Sequence, residues 1–174
     1  MSSELERLVV DLASLVRSRH YGKFRGVVTD IDDPQGRGFI RAQVPEIYGE
    51  GDSPWAIPSV PFAGSDHGLV ALPEVGDGVW IEFEGGDPAR PIWSGAWWAD
   101  GEMPSQGGTR KRAFVTSAGH RLVLDDEAGE IRLEHGDGPK IVIGSSTITI
   151  EVGAKKIEVS NSRVSVNNGN LEVT

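Results

Sequence analysis

The last third of the chain is written in pairs. Ile141 and Ile143, Ile148, Ile150 and Val152, Ile157 and Val159, Val164 and Val166, and Leu171 and Val173 set apolar side chains two residues apart, recurring about every seven to nine residues. A spacing of two places the members of each set on one face of a strand. Gly144, Gly153, Asn161, Asn167, Asn168 and Gly169 stand between the sets, and these residue types accept the backbone of tight corners. Each unit is therefore one short strand and one corner. Such a unit cannot bury its apolar edge alone, because so few side chains offset little of the entropy lost on ordering. Stacked about an axis shared by several chains, each chain needs only one short strand per layer, with Ile141, Ile143, Ile148, Ile150, Val152, Ile157, Val159, Val164, Val166, Leu171 and Val173 turned to that axis and Thr147, Thr149, Glu158 and Ser165 turned to water. The tail thus reads as an intertwined oligomeric β-helix; a hairpin meander within one chain is the alternative.

The other end has a different period. Leu5, Leu8, Leu12 and Leu15 recur at three and four, with Ser3 placed to cap and Glu4 and Glu6 in the first turn, as an amphipathic helix requires. From Tyr21 the period falls to two. "YGKFRGVVTDIDDPQGRGFIRAQVPEIYG" reads as two strands and a long turn, and "GVWIEF" puts Val79, Ile81 and Phe83 on one face and Trp80 and Glu82 on the other. After Trp98, "ADGEMPSQGGTRKR" is polar and carries glycines, the composition of a linker. The expected organisation is a helix in 1–20, a barrel in 21–98, a linker in 99–112 and the β-helix in 113–174.

Composition removes several function classes. Among 174 residues, 17 Lys and Arg face 26 Asp and Glu for a net charge of −9, so a surface for nucleic-acid phosphate would be built against the prevailing field. There is no cysteine, which excludes disulfides and thiolate metal sites. His20, His67, His120 and His135 are scattered without metal-ligand spacing, so neither a metal nor any other cofactor is expected. No apolar run has the length of a membrane span or the form of a signal peptide, which points to synthesis in the cytosol without stable membrane insertion. Paired acids such as Asp125 and Asp126 lie beside strands with no apolar pocket evident, and read as solvent-facing charge.

Taken in order, "YGKFRGVVTDIDDPQGRGFIRAQVPEIYG", Trp55 before "IPSVPFAG", "GLVALPEVGDGVWIEFEGGDPARPIWSGAWW" and "TSAGHRLVLDDEAGEIRL" resemble the spike proteins of contractile injection machines. These are phage baseplate assembly protein V and the valine-glycine-repeat spikes of type VI secretion and of extracellular injection particles. The resemblance covers nearly all of the chain from Tyr21, in a short form without a large hub or a lysozyme-like insert. It implies an all-β architecture beyond the helix: a small five-stranded OB-fold barrel, then a trimeric β-helical needle. It also implies barrel turns at Gly36, Gly38, Gly76, Asp77, Asp87, Pro88 and Pro91, and a structural, non-enzymatic role as the central spike of a baseplate, in a phage tail or tail-like particle. Trp80, Trp97 and Trp98, surplus to a small core, are expected at chain–chain contacts. Leu5, Leu8, Leu12 and Leu15 are expected to dock on a hub, tube-adaptor or wedge protein. Leu171 and Val173, uncovered by any later segment, are expected to meet a tip protein of the PAAR-repeat type. Acidic Glu151, Glu158 and Glu172 would keep the needle soluble. A single-stranded nucleic-acid-binding barrel with stacking tryptophans is the alternative function, and a wall-degrading enzyme a further one.

Overall fold

The computed structural model of the chain describes residues 2–173; the side chains at 2, 3 and 172, among them Ser3 as a cap and Glu172 as an outer acid, lie outside that description. Two compact units divide it, Met1–Gly101 and Glu102–Thr174. The first begins with helix α1, Ser2–Arg17. Strands β1, Phe24–Asp30, and β2, Arg41–Gln43, follow, then a helical turn α2, Pro45–Tyr48, which Pro45 opens where no backbone donor is needed. Next come β3, Ile57–Pro58, a two-residue hairpin of β4, Ala63–Gly64, and β5, His67–Gly68, and then β6, Gly78–Phe83, and β7, Pro91–Trp97.

Five of these strands form one sheet in the order β2-β1-β6-β7-β3, antiparallel except for β3 beside β7. A backbone bridge between Ile40 and Ala56 joins the two outer strands, so the sheet closes on itself. Inside it lie Val28, Ile40, Ala42, Val44, Ala56, Val79, Ile81, Phe83 and Trp93. The alternation of β6 sets this up, with Val79, Ile81 and Phe83 inward and Trp80 and Glu82 half-buried on the outer face. Tyr48 donates its hydroxyl to the Pro88 carbonyl at 2.6 Å, and burial with the nearby Asp87 charge pushes that phenol up to about 12.

The second unit is a single antiparallel sheet of eight strands in chain order: β8, Lys111–Val115; β9, Arg121–Asp125; β10, Glu130–Glu134; β11, Lys140–Ile143; β12, Thr147–Val152; β13, Lys155–Ser160; β14, Val164–Val166; and β15, Leu171–Val173. β8 starts at Lys111, inside the segment read from sequence as linker. The corners take left-handed backbone where the sequence offers it, at Gly153, Asn167, Asn168 and Gly169.

Candidate assembly surface

Register decides which side chains of the eight-stranded sheet stand together. Across all eight strands, Phe114, Leu122, Leu133, Ile141, Ile150, Ile157, Val166 and Leu171 are successive cross-strand partners. A second row runs beside it through Leu124, Ile131, Ile143, Ile148, Val159, Val164 and Val173, with Arg112 at its start. All the axis residues read from sequence except Val152 fall in these two rows; Val152 follows Ile150 on the same face. Five further residues, Phe114, Leu122, Leu124, Ile131 and Leu133, extend the face and were not picked out from sequence. Their signal was the alternation in "RLVLD" and "EIRLE", blurred because Val123 separates two leucines.

In one chain this face is uncovered. Ile148 is 44% exposed, Phe114 57% and Leu171 59%, while Ile141 and Val166 are half-buried. The opposite face holds the polar residues and is the better covered of the two. Ser165, expected to face water, is buried, and Thr147, Thr149 and Glu158 are half-buried. Lys156, Glu158, Arg163 and Asn168 surround Ser165, and long charged side chains cover such a spot with their alkyl stems while keeping their heads in water. Lys156 pairs with Glu158 at 2.7 Å and Lys140 with Glu151 at 2.9 Å along this face.

Asp125 corrects another expectation, since it is buried and not solvent-facing. It accepts backbone hydrogen bonds from Ala128 at 3.0 Å and Glu127 at 3.1 Å, and ion-pairs with Lys111 at 3.1 Å and Arg132 at 3.4 Å. The Ala128 amide above all, with Lys111 beside it, holds the carboxyl down at about 2.

On the first unit, the tryptophans divide. Trp93 is core and donates to the Gly38 carbonyl at 3.3 Å. Trp55 lies under the Arg41 guanidinium. Trp80 and Trp97 flank Arg25, whose guanidinium carbon stands 5.7 and 5.1 Å from their ring centres. Trp97 also donates to the Val79 carbonyl at 3.1 Å and lies flat over Gly78. Trp98 differs, being 64% exposed. At the turns, Gly36, Gly38 and Gly76 all take positive φ, and Asp77 accepts from the Glu74 amide at 2.7 Å and Asp87 from the Ala89 amide at 3.0 Å. Pro88 follows in the same turn, and Pro91 opens β7, where the sheet asks least of a missing donor. Among the described residues no cluster of three or more His, Cys, Asp or Glu could hold a metal.

A closed five-stranded barrel followed by a sheet with one uncovered apolar face matches two family models. Residues 24–98 match the type VI secretion system and phage-baseplate injector OB domain, and residues 111–172 match the phage baseplate V C-terminal trimerisation domain. The chain belongs to the phage baseplate V family. A search of curated proteins returned no match. As a baseplate V protein it is a component of a spike or injector, and both matched models describe structural parts of that machine. The uncovered rows lie almost wholly within the trimerisation match, from Phe114 to Leu171. Among the described residues no helix of this baseplate V chain is long and apolar enough to cross a membrane.

Proposed function

We propose that this baseplate V protein is the central spike of a contractile injection machine, assembled as a homotrimer, on which the baseplate is built and which leads the tube through a target envelope. The observation that carries the reading is the pair of apolar rows, one running over all eight strands and the other over the seven from β9 to β15, yet exposed in one chain. A sheet face of that size is stable in water only when covered, and three copies turned inward about one axis cover it symmetrically. The match of the same residues to a trimerisation domain supports this choice of number.

The mechanism is mechanical. A contracting sheath supplies force, and the needle transmits it because neighbouring strands are hydrogen-bonded along its length and three packed faces resist buckling. Hub, tube-adaptor and wedge proteins are the partners of the barrel, and Trp80, Trp97 and Trp98 are the aromatic contacts between copies. In the C-terminal sheet β15 is an edge strand with Leu171 and Val173 exposed, and an exposed edge is an association site; a PAAR-repeat tip protein covers it. Light scattering tests the core of the reading. The expected mass is three times 18.7 kDa, and a clean monomer at micromolar concentration overturns it.

A further inference from the structure

α1 is held at one end and bare along its length. Its base is fixed to the barrel: the His20 amide donates to the Gly86 carbonyl at 2.8 Å, and Arg19 donates to the Gly85 carbonyl at 3.2 Å and faces Asp87 at 3.8 Å. Above that anchor, Leu5, Leu8, Leu12 and Leu15 are 63%, 65%, 59% and 54% exposed. Their spacing of three, four and three is narrower in meaning than general amphipathicity. It is the a/d pattern of a coiled-coil seam, in which leucines recur every 3.5 residues on average and pack as knobs into the holes of a neighbouring helix. Val9 and Val16, also exposed, flank the seam at the e position, a width of apolar face that suits a helix touching two neighbours and not one.

We propose that the occupant of this seam is α1 of the other two copies, so that the three helices form a parallel bundle anchored on their barrels. The proposal rests on the trimer put forward above. Rotation about a single axis brings each α1 to the same height in the same direction, so Leu5 meets Leu5 and Leu12 meets Leu12. No other geometry aligns a/d positions without a register choice. Glu4 and Asp11 fall at g positions, opposite apolar e positions in the neighbour, so no like charges are forced together across the seam. An anionic membrane is a poorer occupant, because the helix carries Glu4, Glu6 and Asp11 against Arg7 and Arg17 and lacks a basic face. The seam is only two heptads long, too short to persist by itself; tethering on a trimer raises the local concentration enough for it to close.

The absence of cysteine from the chain makes the test clean. Leu8→Cys and Leu12→Cys place single thiols in the seam of the full-length protein, and Arg7→Cys and Val10→Cys place them outside it. Under mild oxidation the first two are expected to run as disulfide-linked dimers on denaturing gels, and the second two as single chains. Light scattering of each reduced variant reports the trimer independently. If the variants are trimeric and the seam positions do not cross-link, or if all four positions cross-link alike, the bundle is overturned and the leucine stripe belongs to a different baseplate protein. A monomer by light scattering overturns the trimer itself, and the bundle with it.

Discussion

Gly78 shows how much a single hydrogen can decide. A Cβ built there would lie 2.6 Å from the Trp97 ring, closer than carbon atoms can approach, so Gly78→Ala must displace the indole from its hydrogen bond with Val79. Overpacking of this kind costs about 1–3 kcal/mol. Urea unfolding of Gly78→Ala should show that loss, and the loss should largely vanish when alanine is introduced into a Trp97→Ala background, since the obstacle is gone. Asp125 supplies the second test at this scale. Its carboxyl is held at about 2 in the folded chain, below the ordinary value of about 3.9. The stabilisation is therefore complete above about pH 4 and is lost as pH falls toward 2, where the folded carboxyl takes up its proton. Asp125→Asn should unfold at lower urea than the parent at pH 7, and the gap should narrow across that acid window. A gap independent of pH would mean that the Ala128 and Glu127 amides and the Lys111 pair do not favour the charged carboxylate in the folded chain.

At the scale of the element, the informative contrast lies between the two faces of β12 and β13. Ile150→Asp places three carboxylates against one axis in the proposed trimer, a burial that neither pairing nor hydrogen bonding relieves. Glu158→Lys removes one solvent-screened ion pair with Lys156, which contributes little to stability. Size-exclusion chromatography should find trimer for Glu158→Lys and none for Ile150→Asp; equal assembly of the two would show that the assigned faces are wrong. These strands were legible in the sequence because their period of two is clean and Gly and Asn punctuate it. β6 was legible for the same reason. β4 and β5 were not, as two residues carry no period, and neither was the parallel pairing of β3 with β7, which depends on residues more than thirty positions apart. The burial of Asp125 could not be read because it comes from the turn of residues 126–128 folding back onto the carboxylate. Sequence alternation told which side chains share a face; it did not tell that charged stems would cover the polar side.

For the whole molecule, the division at Gly101 invites a truncation. Residues 1–101 contain a closed barrel with its own core, so the fragment should fold by circular dichroism and run as a monomer at micromolar concentration, the helix seam being too short to hold three chains without the C-terminal sheet. A trimeric fragment would shift the main association site to Trp98 and α1. The C-terminal sheet has a further consequence through its connectivity. Within the sheet from β8 to β15, strands pair only with their immediate neighbours in chain order, so no pairing depends on how many strands there are. At roughly 4.8 Å per strand spacing, eight strands span about 34 Å. Insertion of one hairpin that keeps the two-residue period would lengthen the sheet by about 10 Å and leave every existing pairing intact. Reach is thus an adjustable quantity: the chain carries a ruler whose graduations are hairpins, and its length can change without any change to the pairings of the barrel sheet.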